Sequence, residues 1–180
     1  MTRALFLDRD GTLIVDVGYP RDPDRVALVP GVVEALRELQ QQFALVIVSN
    51  QSGLARGKLT RAEADAVHAR VVELFAAEGV QFAGARYCFH GPDDGCSCRK
   101  PAPGMLLDAA KTLELDVASS VMIGDKLSDV DAGRAAGCRT AILFGPEAPT
   151  THSTATSCRD WTAIAALLAD PPPTTTRTRR

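Results

Sequence analysis

No apolar run in this chain of 180 residues approaches the roughly 20 that a membrane span requires. There is no excess of charge of either sign: the formal net charge is −2, and the arginines gathered at the C-terminus are too few to make an electrostatic footprint for nucleic acid. The segment MTRALFLD meets its first acidic group too early to read as a secretory signal. No internal repeat is visible. These absences point to a cytosolic chain that binds neither nucleic acid nor membrane. In such a compartment the five cysteines read as thiols or metal ligands rather than disulfides. Histidine is scarce as well, at three.

What is present suits one compact domain. Hydrophobic residues make up 46% and charged residues 23%, enough for a real core with an ordinary surface. Apolar runs alternate with helical patterns. Strands are expected at residues 4–7, 43–48, 85–89, 121–123 and 140–143, and helices at 30–42, 61–78, 103–115, 129–136 and 161–168. Thr60 with Glu63 three residues on makes a capping box for the second helix. Gly137 closes the fourth. This βαβα rhythm argues for an α/β fold, a three-layer Rossmann-like parallel sheet with helices on both faces. Residues 145–159, rich in Pro, Thr and Ser, read as loop. The domain is expected to span residues 1–170, with 171–180 a disordered Pro/Thr/Arg tail. No unexplained apolar stripe stands out, so a monomer is expected.

The chemistry concentrates at the strand tips, where open α/β sheets bind ligands. The first strand ends in FLDRDGTL, which delivers Asp8 and Asp10 to its tip ahead of a tight turn at Gly11. Two carboxylates so placed can bind a hard cation and leave an oxygen to attack; the plain alternative is a solvated Asp-Arg-Asp turn. The second strand ends in Ser49-Asn50-Gln51-Ser52-Gly53, whose hydroxyl and N–H donors suit phosphoryl oxygens, although the same residues favour any strand-to-helix turn. The fourth ends in Gly124-Asp125, with Asp129 four residues on. A helix beginning near 127 brings Asp129 close to Asp125, completing an oxygen-rich site with Asp8 and Asp10. Lys100, just before a helix, would balance these carboxylates and bind a phosphoryl oxygen.

Upstream of Lys100 stand Cys88, His90, Cys96 and Cys98. Ligands two apart in extended chain point to the same side, and two such pairs across a short loop can close a tetrahedral Cys₃His zinc site. Four protein ligands leave no open position, so the zinc would be structural, holding the loop that presents Arg99 and Lys100. Cys138 and Cys158 read as inert, and His68 and His152 have no evident partners.

DxDGT, a tip serine, a lysine before a helix and GDxxxD, in that order, resemble the haloacid-dehalogenase-like phosphohydrolase superfamily from about residue 4 to 143. The resemblance implies Asp8 as the nucleophile that forms an aspartyl-phosphate. It implies Asp10 as the acid that protonates the leaving group and then activates water. Ser49 and Lys100 would hold the phosphoryl group. Mg²⁺ would sit on Asp8, the Asp10 backbone carbonyl and Asp125, with Asp129 behind them. Neither the gap after the first motif nor that after the second leaves room for a cap domain, so the site should be open.

The cysteine loop with CRKPAPGM resembles a capless branch that holds heptose-bisphosphate and histidinol-phosphate phosphatases. VDVGYP, SNQSGLARGK and GDKLSD look like the heptose side, which removes the 7-phosphate of a heptose 1,7-bisphosphate. That implies substrate contacts from Asp16, Gly18, Tyr19, Asn50, Gln51, Ser52, Arg99 and Lys126, and Arg56 offers a further cation for a second phosphate. The short 90–96 loop is also typical of the histidinol-phosphate side, which leaves that substrate as the alternative. A non-catalytic zinc-bearing binding module is the remaining reading, and the presence of all the motif residues speaks against it.

Overall fold

A computed structural model describes residues 1–145 and 156–169. The tail expected to be disordered and His152 lie outside the described residues. Among the described residues six strands form one sheet: β1 (Ala4–Leu7), β2 (Ala44–Asn50), β3 (Gly84–Cys88), β4 (Val121–Gly124), β5 (Thr140–Phe144) and β6 (Thr156–Cys158). All pairings are parallel, in the order β3-β2-β1-β4-β5-β6. Among the described residues five α-helices accompany them: α1 (Val32–Leu39), α2 (Arg61–Ala77), α3 (Gly104–Thr112), α4 (Leu127–Ala136) and α5 (Trp161–Leu168).

A parallel sheet covered on both faces needs strands apolar on both sides. β1 and β4 are buried at every position. Alternation then divides the core. Leu5, Leu7, Leu45 and Ile47 pack with Val32 and Leu36 of α1, Phe75 of α2 and Trp161 of α5. Ala4, Phe6, Val46 and Val48 pack on the opposite face with Leu106 of α3 and Val130 of α4. The three-layer architecture is thus as expected, and among the described residues no inserted domain covers the strand tips.

The differences from expectation are at element ends. α1 stops at Leu39: Gln40 still closes the last turn with its N–H on Leu36 O (2.9 Å), while its side chain ties down the connection from α2 to β3, donating to Gly79 O (2.9 Å) and accepting from Gln81 N–H (3.1 Å). α3 ends at Thr112, since Glu114 takes a left-handed φ of 53° and Leu115 N–H reaches back to Ala110 O. β6 is a correction: Thr156–Cys158 lies within the stretch expected to be loop. Its polar residues hide a strand because it sits at the sheet edge, where β5 alone pairs with it and only Cys158 is buried.

Candidate active site

β1 lies between β2 and β4, so their C-terminal tips are neighbours at the point where the strand order reverses. Asp8 follows β1 directly and donates its N–H to Ile123 O of β4 (2.9 Å). Asp8 is 5% exposed, Arg9 1% and Asp10 8%, which excludes a solvated turn.

Lys100 enters from the segment between the cysteines and α3. Its Nζ lies 2.7 Å from Asp8 Oδ1, 2.6 Å from Asp129 Oδ1 and 2.7 Å from Val48 O, so its three N–H donors are spent. Burial pulls against the ammonium form, but Asp8 and Asp129 overcome it and raise the Lys100 pKa. Asn50 holds this lysine by its main chain: its amide donates to Lys100 O (3.0 Å) and accepts from Lys100 N–H (3.1 Å).

Asp10 is held from two sides. Arg9 Nε and Nη2 reach its Oδ2 at 3.2 and 3.0 Å, and Gln51 Nε2 donates to the same oxygen at 2.6 Å. The second Gln51 N–H goes to Ser49 Oγ (3.1 Å). Burial raises the Asp10 pKa against the opposing charge of Arg9.

Asp8, Asp125 and Asp129 each place a carboxylate oxygen within 4.8 Å of the others. Asp129 has both oxygens engaged, Oδ1 with Lys100 and Oδ2 with the Lys126 N–H (3.0 Å). Asp125 is different: its Oδ1 is buried without a hydrogen-bond partner. Burial first, then Asp8 and Asp129, push its pKa up to about 7 despite the nearby Lys126. An orphaned carboxylate oxygen beside other acids is what a hard divalent cation would satisfy, so the residues fit a metal. Gly11 makes this packing possible. It has a φ of 85°, and a Cβ there would collide with the Asp125 carboxylate. Gly11→Ala should therefore cost about 1–3 kcal/mol of stability from the backbone strain alone, read by urea denaturation.

Cys88, His90, Cys96 and Cys98 converge. Their sulfurs are 3.3, 3.5 and 3.7 Å apart, and His90 Nδ1 lies 3.5 Å from Cys88 and 3.3 Å from Cys98. Zn–S bonds of about 2.3 Å in a tetrahedron put sulfurs about 3.8 Å apart, so the quartet also fits its metal.

Above the tips lies a cavity of about 680 Å³ whose lining includes Asp10, Tyr19, Gln51, Ser52, Arg99 and Lys126. Asp16 and Gly18 also face it. Arg99 makes one long contact, Nη1 to His90 O at 3.4 Å. Lys126 Nζ is 3.5 Å from Asp16 Oδ2 and 3.7 Å from Asp125 Oδ2. Arg56 is not brought to the cavity wall; its Nη1 reaches the Tyr19 hydroxyl at 3.5 Å instead.

The chain is 43% identical over 177 residues to the D-glycero-beta-D-manno-heptose-1,7-bisphosphate 7-phosphatase of Escherichia coli K12, covering 94% of this chain and 91% of that protein. The chain belongs to the heptose-bisphosphate phosphatase family. The family member from Vibrio cholerae is 44% identical over 157 residues, 83% of this chain and 84% of its own. Residues 97–159 match the HAD-hydrolase-like family model. The crystal structure of D,D-heptose 1,7-bisphosphate phosphatase from B. bronchiseptica, complexed with magnesium and phosphate, superposes with a TM-score of 0.81 at 34% identity, covering 93% of this chain and 98% of that one.

Arg9 is a site residue that the motif pattern does not single out. Its signal was its place: once Asp8 and Asp10 are taken as buried, the arginine between them is the nearest countercharge. His68 also has a partner, the Tyr87 hydroxyl, 2.6 Å from its Nδ1. Nothing in the sequence joins those two, which stand on α2 and β3.

Proposed function

We propose that the protein is a Mg²⁺-dependent phosphomonoesterase that removes the 7-phosphate of D-glycero-β-D-manno-heptose 1,7-bisphosphate through an aspartyl-phosphate. The observation that carries this reading is two buried carboxylates on one strand tip, Asp8 against Lys100 and Asp10 against Arg9 and Gln51, below a cavity walled by Arg99 and Lys126. The names of the relatives supply the sugar and the β anomer.

Asp8 attacks phosphorus as the bond to the sugar oxygen breaks. The leaving oxygen keeps that electron pair and takes a proton from Asp10. Water then attacks the aspartyl-phosphate, gives its proton to Asp10 and frees Asp8. Ser49 Oγ accepts from Gln51, which leaves the hydroxyl hydrogen for a phosphoryl oxygen. Lys100 fixes the orientation of Asp8. Asp8, Asp125 and the Asp10 carbonyl, with Asp129 behind them, would hold Mg²⁺, which would neutralise phosphoryl charge. Cys88, His90, Cys96 and Cys98 would hold a structural Zn²⁺. Arg99 and Lys126 meet the second phosphate, a role poorly suited to the cationic amine of histidinol phosphate. The same reading makes residues 1–170 one domain acting as a monomer in the cytosol, in keeping with five unpaired cysteines. Among the described residues no helix is long and apolar enough to cross a membrane.

The test is phosphate release with Mg²⁺ from both anomers of heptose 1,7-bisphosphate, histidinol phosphate and fructose 1,6-bisphosphate. The β anomer should lead in kcat/KM by about a hundredfold, near 3 kcal/mol of transition-state discrimination. A preference for histidinol phosphate would overturn the substrate while sparing the chemistry.

A further inference from the structure

Gln51 was expected to touch substrate, yet its amide is spent inside the protein. One N–H goes to Asp10 Oδ2 at 2.6 Å and the other to Ser49 Oγ at 3.1 Å. Its backbone N–H is fixed as well, on Cys88 O at 2.7 Å. The side chain is buried, and with Asp10 ionised its orientation is fixed, because a carboxylate oxygen can only accept from the amide nitrogen.

The consequence falls on Asp10. Oδ2 accepts three N–H donors, from Arg9 Nε, Arg9 Nη2 and Gln51 Nε2. An oxygen surrounded in this way has no room for a proton of its own. Among the described residues Oδ1 meets only the shared Arg9 Nη2, at 3.1 Å. We infer that Gln51 is a positioning residue for leaving-group protonation: with Arg9 it reserves Asp10 Oδ2 as an acceptor and assigns the transferable proton to Oδ1. Through Ser49 it also couples the acid to the hydroxyl that faces the phosphoryl group. The inference rests on Asp10 being the acid of the proposed reaction.

In the step concerned, the Asp10 Oδ1–H bond breaks, its proton joins the departing oxygen, and the electrons of that O–H bond remain on the carboxylate. General acid catalysis of this kind contributes about 10²–10⁴-fold and depends on a group held in hydrogen-bonding geometry. Without Gln51, Arg9 alone orients Asp10, and the carboxyl can turn to place its proton away from the leaving oxygen.

The experiment uses ring-substituted phenyl phosphates, from the acidic p-nitrophenol to the weakly acidic p-methoxyphenol as leaving group. All lack the sugar, so loss of a sugar contact leaves their relative rates unchanged. kcat/KM covers only the steps through P–O cleavage and isolates protonation of the leaving group. Wild-type values should vary little across the series. In Gln51→Leu the deficit should grow from about 3-fold with p-nitrophenyl phosphate to about 30-fold with p-methoxyphenyl phosphate. Gln51→Glu, which keeps the length but replaces the donor with an acceptor, should steepen the dependence in the same way. Equal losses across the series, as a loosened fold or lost phosphate contact would give, overturn the role of Gln51. Asp10→Asn separates this from the parent reading. A steep dependence there with parallel losses in Gln51→Leu defeats Gln51 alone. Parallel losses in Asp10→Asn defeat the acid assignment and the inference with it.

Discussion

Asp8→Asn should lower phosphate release by about 10⁴-fold or more and leave the fold standing. The size follows from the reaction: an amide is too weak a nucleophile to form the covalent intermediate, and removing a nucleophile forfeits the whole two-step route. The tolerance of the fold follows from the surroundings. Asn has the same shape, and its amide oxygen can still accept from Lys100 Nζ, 2.7 Å from the present Oδ1. Lys100 keeps Asp129 and Val48 O as partners. Asp8 also adds to the negative charge that raises Asp125 and Asp129, so neutralising it relieves repulsion. The melting temperature without Mg²⁺ should therefore hold or rise, while the stabilisation by added Mg²⁺ should shrink because a ligand charge is gone. Phosphate release above a tenth of the wild-type rate would remove Asp8 from the nucleophile's role, whatever the melting temperature.

The sheet was legible because burial on both faces forces long apolar runs, as in 44–48, and because a polar residue that ends such a run marks a tip. Asp8, Ser49 and Asp125 were found that way, and adjacency of their strands brings them together. β6 was hidden because an edge strand of polar residues carries no such run. Side-chain partnerships were less legible than positions. Asn50 and Gln51 stand at a tip, and the family resemblance implies substrate contacts for them; both border the cavity, and their side-chain amides hold Lys100 and Asp10. Sequence spacing cannot reveal this, since Asn50 and Lys100 lie on separate segments that only the tertiary fold makes neighbours. Arg56 shows the converse. Its charge suggested a phosphate contact, but the turn after Gly53 directs it to Tyr19.

Removing the zinc proposed for Cys88, His90, Cys96 and Cys98 should disable the enzyme although no zinc ligand takes part in the chemistry. The ligands stand at the end of β3 and in the loop just before Lys100, and that loop is short of other support. Cys96 and Cys98 are not fully buried, and among the described residues the loop's own main chain makes few hydrogen bonds, Asp94 N–H to Gly91 O at 3.5 Å among them. Without a cation, three sulfurs at 3.3–3.7 Å have little to hold them so close. Lys100 is two residues beyond Cys98, and Cys88 O receives the Gln51 N–H. Loosening the quartet thus acts on both sides of the site at once, on the cation that orients Asp8 and on the amide that orients Asp10. Protein prepared without chelators should carry about one zinc per chain. Extraction, or Cys98→Ser, should lower the melting temperature by about 10 °C, as a loss of about 4 kcal/mol does in a domain of this size. Phosphate release should fall with zinc content and return on adding Zn²⁺ but not on adding Mg²⁺ alone. Full activity in protein freed of zinc would show that the loop holds its shape through packing and that the four residues do not carry the site.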